Sequence, residues 1–326
     1  MMVFGRALTG VGAVVFALGA IALGLFAVGC DSRSDAPPGA KPKVVATTTQ
    51  VADLVRQIAG DSVEVVTIMG PGVDPHTYKP TTADLGQLAT AKVVFYNGLH
   101  LEGTLTEKLE QSLGARAVAV SQEIPLPLLI TSEGESMAFD PHIWFEPRLW
   151  ADCARTVGEV LGYNMPGQTL QMRERARQVA EKIGQLESWA KQRIATIPPQ
   201  QRVLITSHDA YNYFGRAFGM EVRGIQGIST ESEAGIGALD SAVSFIVERK
   251  IPAVFVESSV SPRTIERVIA DAKARGVNVV IGGELFSDAM GTPGSHPGYA
   301  VETWEGMFRY NVDTIVAALG GEPARP

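Results

Sequence analysis

From residue 44 onward, short β-branched runs alternate with helical patterns, and this alternation confines the chain to parallel α/β architecture, because parallel neighbours need a crossover between them. In the first half the pattern predicts strands over 44–48, 63–68, 92–96 and 117–120. Helices are expected over 50–59, from 82, over 104–113 and over 148–162, and Gly60 and Gly114 stand where two of them should stop. The pattern changes after Pro166. Met172, Ala176, Val179, Ile183, Leu186, Ala190 and Ile194 recur every three or four residues, with charged residues on the other faces. A helix over 166–195 would be about 45 Å long, the span of a whole domain, and reads as a strut. Beyond it the alternation resumes, with strands over 202–206, 221–226, 253–256 and 278–281 and helices over 211–218, 238–249, 262–275 and 301–319. The expected fold is α/β, two parallel-sheet (β/α)4 lobes bridged by one long rigid helix. The lobes take residues 44–165 and 199–326 and the linker helix 166–198. A chain of 326 residues is also too long for one comfortable core, which suits two lobes.

Ahead of the first strand, Arg6 precedes an apolar stretch that runs from Ala7 to Val28 and ends Ala27-Val28-Gly29-Cys30. Its length suits an export signal or a membrane span. The ending resembles a bacterial lipobox, with Ala27 where Leu is commonest. That resemblance makes 1–29 a signal peptide and Cys30 the acylated first residue of the mature protein, and it is preferred to an uncleaved span. Residues 30–43, rich in Pro, Gly and Ser, cannot bury a core and read as a flexible tether. On either reading the folded part lies outside the cytoplasm. The other cysteine, Cys153, falls within a helical pattern and reads as a small buried apolar residue. A net charge of −7 without a Lys/Arg-dense run leaves no footprint for nucleic acid.

In open parallel sheets, ligands collect beyond the carboxyl ends of the strands, where loops converge on a crevice. Four residues occupy such positions: His76 after the second strand, His142 after the fourth, His208 after the first strand of the second half and Asp288 after its last. Two per half would place an ion between the lobes. Three neutral imidazoles and one carboxylate can fill the shell of a divalent metal. His100 and His296 read as structural or rim residues, and Glu257 and Glu284 as possible outer partners of the ligands or as members of buried ion pairs. Ser207-His208-Asp209 cannot align a nucleophile, base and orienter, and no nucleophile elbow, phosphate loop, His-Glu-x-x-His helix or EF-hand loop occurs.

The segments Asp74-Pro75-His76-Thr77-Tyr78-Lys79-Pro80, Asp140-Pro141-His142-Ile143-Trp144, Ile205-Thr206-Ser207-His208-Asp209-Ala210-Tyr211 and Gly282 to Gly291 together resemble the zinc/manganese solute-binding proteins of ABC importers, especially the TroA-like branch. The resemblance runs from about Val44 to Leu319. It implies two α/β lobes joined by a long helix, with one Zn²⁺ or Mn²⁺ ion buried between them on His76, His142, His208 and Asp288. It further implies a monomer held at the membrane through its lipid anchor, a membrane permease with a cytoplasmic ATPase as partner, and capture and delivery rather than catalysis. The short segment from Ser132 to Phe139 has no histidine, unlike the His-rich loop of many zinc-specialised members. Two rival functions are a zinc-dependent hydrolase, against which four ligands closing the shell argue, and a surface adhesion lipoprotein.

Overall fold

The computed structural model describes residues 41–132 and 138–323; the signal segment, Cys30 and the tether up to residue 40 lie outside them. Four parallel strands open the first half: β1 (Lys43–Ala46), β2 (Glu64–Thr67), β3 (Val93–Tyr96) and β4 (Ala117–Ala119), in the order β2-β1-β3-β4. Every residue of β3, Val-Val-Phe-Tyr, is buried, as expected of a strand covered on both faces by crossover helices. The helices begin where polar side chains satisfy free amides. Thr48 accepts from Val51 N at the start of α1 (Thr49–Ala59), and Thr81 with Asp84 forms a reciprocal capping box on α2 (Thr82–Thr90). Then come α3 (Thr104–Leu113) and α4 (Pro147–Asn164), the latter with Pro in its first turn, where no amide is needed.

The strut expected from 166 is α5 (Thr169–Ala195), about 40 Å long. Its expected first residues instead form a 3₁₀ turn, Pro166–Gln168, which turns the chain back from α4. All seven periodic apolar residues of α5 are buried, together with Ala180. They pack on α1 and α4 of the first half, while further along the helix meets α6 (Asn212–Phe218) and α9 (Trp304–Ala318) of the second. Arg175 Nη1 donates to Ala59 O (2.8 Å) on one side, and Arg193 pairs with Asp313 (2.9 Å) on the other.

The second half carries β5 (Val203–His208), β6 (Glu221–Gln226), β7 (Ala253–Glu257) and β8 (Val280–Leu285), with α7 (Ile236–Arg249) and α8 (Arg263–Ala274) between them. Parallel ladders join β5 to β6 and β7 to β8, and β5 runs beside β7. The last strand lies later than the expected 278–281. Gly282 and Gly283, just past the expected end of the strand, are inside β8: a Cβ on Gly282 would come within 2.8 Å of Ala318 Cβ and 2.9 Å of Phe255 Cε1. Close approach of α9 and β7, together with an irregularity of register at Val254/Phe255, accounts for glycine there.

The crossing of α4 on α5 depends on a missing side chain as well. A Cβ on Gly158 would sit 2.4 Å from Ala176 Cβ, whereas nothing lies within 4 Å of that position on Gly184. Gly158→Ala is expected to destabilise the protein by about 1–3 kcal/mol through forced separation of the helices. Gly184→Ala, in the exposed middle of α5, should instead be neutral or stabilising by up to about 1 kcal/mol. Urea denaturation of the two variants checks the contrast, and equal stabilities would refute it.

Candidate metal centre

His76 and His142 are presented by two copies of the same turn. In each Asp-Pro-His sequence the aspartate Oδ1 accepts the backbone N–H of the histidine, at 2.9 Å for Asp74 and His76 and at 2.9 Å for Asp140 and His142. This Asx geometry fixes the residue beyond proline and aims its ring out of the loop. His76 follows β2 and His142 follows β4. From the second half, His208 is the last residue of β5 and Asp288 lies in the loop after β8. That loop is held across the crevice: Ser287 O accepts from Gln50 Nε2 (3.2 Å) and Trp144 Nε1 (3.1 Å), and Met290 N donates to Thr49 Oγ1 (2.9 Å).

The four side chains converge, each offering one ligand atom, with all four atoms within 4.8 Å of one another. His142 Nε2 is 3.4 Å from His76 Nε2 and 3.3 Å from His208 Nε2; Asp288 places Oδ1 3.3 Å from His142 Nε2 and Oδ2 3.3 Å from His208 Nε2. Only His76 shows any surface beyond a trace, at 3%.

Tautomers follow from the outer partners. His142 Nδ1 lies 2.8 Å from Asp140 Oδ1 and His208 Nδ1 2.6 Å from Glu257 Oε2. The second contact is close but poorly aligned, an ion pair rather than a linear hydrogen bond. A carboxylate offers only lone pairs, so the proton belongs on Nδ1 of both rings, and in their neutral forms Nε2 of each aims a lone pair inward. Asp288 Oδ1 is buried without a hydrogen-bond donor. Lone pairs and an orphaned carboxylate oxygen facing one point form a donor set that suits a cation.

Without an ion the cluster competes for protons. Burial works against the charged form of His142, yet Asp140 and Asp288 hold its pKa up at about 9, and Asp288 with Glu257 raises His208 well above the ordinary histidine range against the same desolvation. His76 has no carboxylate on its ring. Burial, reinforced by the two neighbouring rings, brings it down to about 3. Asp288, despite burial, is held well below the usual carboxylate range by His208 and His142.

The structure thus brings His76, His142, His208 and Asp288 together, with Glu257 against His208. Glu284 is not among them. It is exposed on β8, because the strand continues to Leu285 and turns this side chain outward. His100 is exposed, and His296 packs on Tyr310 and Phe286, with ring centroids 4.5 and 5.1 Å away. Sequence reasoning missed Asp140 as a partner of the His142 ring, although the Asp-Pro-His motif contained it.

Comparison with known proteins identifies the family to which such a chain is similar. The family model described as zinc-uptake complex component A, periplasmic, matches residues 44–318. The chain is 44% identical over 279 residues to the manganese-binding lipoprotein MntA of Bacillus subtilis, covering 85% of this chain and 89% of that protein. It is 29% identical over 300 residues to the manganese ABC transporter substrate-binding lipoprotein PsaA of Streptococcus mitis, covering 90% and 94%. The solved structure of the periplasmic zinc-binding protein TroA from Treponema pallidum superposes with a TM-score of 0.81 at 42% identity, covering 86% of this chain and 99% of that one.

The proton affinities set the sign of a pH dependence. Because His142 is raised to about 9 from an ordinary value near 6.5, its stabilising charge is fully present below pH 6.5 and lost as pH rises through 9. His208 acts in the same direction, and His76 acts only below pH 6.5. Chelator-treated protein should therefore melt at a lower temperature at pH 9 than at pH 6.5, and Asp140→Asn should flatten the difference. Calorimetry of both proteins measures it, and a melting temperature that rose with pH would contradict the assignment.

Proposed function

This chain belongs to the periplasmic zinc-uptake component A family, and we propose that His76, His142, His208 and Asp288 are the ligands of the divalent cation it carries. It is an extracytoplasmic substrate-binding protein of an ABC importer, capturing Zn²⁺ or Mn²⁺ between two lobes for delivery to a membrane permease, and it is not an enzyme. The observation that carries the ligand assignment is the convergence of two side chains from each half on one buried point. A tetrahedral ion with bonds of about 2.0–2.1 Å has ligand atoms about 3.3–3.4 Å apart, the spacing found around His142 Nε2. The hydrolase alternative needs an open position for water and substrate. A cluster this deeply buried offers none.

For the cargo, the nitrogen-rich set favours Zn²⁺ over Mn²⁺ in affinity, as the general order of divalent metals requires. Both oxygens of Asp288 face the cluster, so a bidentate carboxylate would add a fifth bond and admit the harder Mn²⁺. We further propose lobes at 44–165 and 199–326, with a linker helix over 166–198, as the halves that hold the ion between them. Among the described residues no helix is long and apolar enough to cross a membrane. We assign attachment to Cys30, which follows the lipobox-like Ala27-Val28-Gly29, with residues 30–43 as the tether of a monomeric carrier. A tether of this size spans roughly 20 Å as a flexible coil.

One ion per chain is expected by elemental analysis after reconstitution. His76→Ala, His142→Ala or Asp288→Ala should each weaken binding by at least about 100-fold, more than Glu257→Gln, whose loss as an outer partner should cost roughly 10- to 100-fold. His100→Ala and His296→Ala should leave affinity unchanged. A loss in either of those equal to the loss in His76→Ala would overturn the ligand set. For the anchor, mass spectrometry of the membrane-extracted protein should find an acylated Cys30 at the mature N-terminus, and an intact Met1 would rule that out.

A further inference from the structure

The two Asp-Pro-His turns share a second property. In each, the aspartate oxygen not bound to the histidine amide reaches across to the other half of the molecule. Asp140 Oδ2 accepts from Asn212 Nδ2 on α6 (3.1 Å), and Asp74 Oδ2 accepts from Thr230 Oγ1 in the loop after β6 (2.5 Å). They differ in depth. Asp140 is fully buried and also contacts the ring of its histidine, whereas Asp74 is half-buried at the rim and touches only the backbone of His76.

The loop that carries Thr230 is itself tied to the centre. Gln226 is the ladder partner of His208, and its Nε2 donates to Thr230 O (3.0 Å) and Ser232 O (2.6 Å). A continuous path thus runs from His208 through Gln226, Thr230 and Asp74 to His76, passing outside the cluster. Beneath His76 the chain has no slack: a Cβ on Gly103, at φ 48°, would meet His76 O at 2.8 Å. His76 is also the ligand with the most exposure and the one ring of the three without a carboxylate partner.

Resting on the ligand assignment above, we propose that Asp74 is a positioning residue and that its bond to Thr230 is a latch: His76 leaves the ion only when the loop after β6 lets go of Asp74. The latch governs how fast the ion departs more than the geometry in which it is held, because neither Asp74 nor Thr230 enters the cluster.

The test is metal dissociation into excess chelator, followed by stopped flow on the full chain in detergent loaded with Zn²⁺, with Co²⁺ absorption to report coordination. Thr230→Val keeps the shape and removes the hydroxyl. It should accelerate release by about tenfold, the loss of one hydrogen bond to a charged acceptor, with the Co²⁺ spectrum unchanged. Thr230→Ser should restore the wild-type rate to within about threefold. Thr77→Val removes the other hydroxyl that bonds Asp74 Oδ2 (3.0 Å), but from the same turn, and should change the rate by less than about threefold. Unchanged release from Thr230→Val, equal acceleration by Thr77→Val, no rescue by Thr230→Ser or an altered Co²⁺ spectrum would each overturn the latch. A wild-type protein that takes up no metal would instead overturn the carrier reading, and the latch with it.

Discussion

Three imidazole nitrogens and a carboxylate are buried within 4.8 Å of one another, at 3.3–3.4 Å around His142 Nε2, and their lone pairs repel unless a cation or protons stand between them. Much of the surrounding structure consists of what resists that repulsion. The Asx turns fix His76 and His142, Glu257 accepts the amide of His208 and pairs with its ring, and hydrogen bonds with Gln50, Trp144 and Thr49 clamp the loop of Asp288. Each fixation lowers the reorganisation needed when the ion arrives. The proposed site is therefore preorganised in the sense that makes metal binding tight.

Preorganisation of this kind needs the two halves to keep a defined relation, and α5 supplies it. One apolar face runs along the helix from Met172 to Ile194, so the same element enters the packing of both halves. A second seam is polar and buried. Asp53 on α1 accepts the amide of Trp304 at the start of α9, Trp304 Nε1 returns to Trp144 O, and Tyr213 OH donates to Asp140 O. Buried hydrogen bonds of this type add modestly to stability but strongly to uniqueness, since a slipped arrangement would leave each group unsatisfied. The burial that closes the centre is thus bound up with the helix that joins the halves.

Carboxylates are distributed unequally around the three rings. Asp140 and Glu257 back His142 and His208, raising their basicity and hence their strength as donors, while His76 relies on its turn alone. In the proposed site two histidines are in this way committed to the ion and the third is the weakest hold. For a carrier that must release its cargo, one weak ligand near the surface is a physical advantage, because dissociation can begin there without breaking up the rest of the set.

The alternation of strand and helix patterns, the periodic face of α5 and the placing of histidines at strand ends were legible in the sequence, because each is a local pattern repeated at a known period. Those patterns assign His76, His142, His208 and Asp288 to one crevice. Local patterns could not say which carboxylates would stand behind the rings. Glu257 and Glu284 looked alike near strand ends, yet one is buried against His208 and the other is exposed, because β8 runs through its two glycines. Asp74 and Asp140 occupy identical motifs, yet one is buried against the ring of its own histidine and the other meets a threonine of the opposite half at the rim. Sequence determined which residue types reach the crevice; depth, pairing and charge were decided by tertiary structure, since they depend on what arrives from elements far away in the chain.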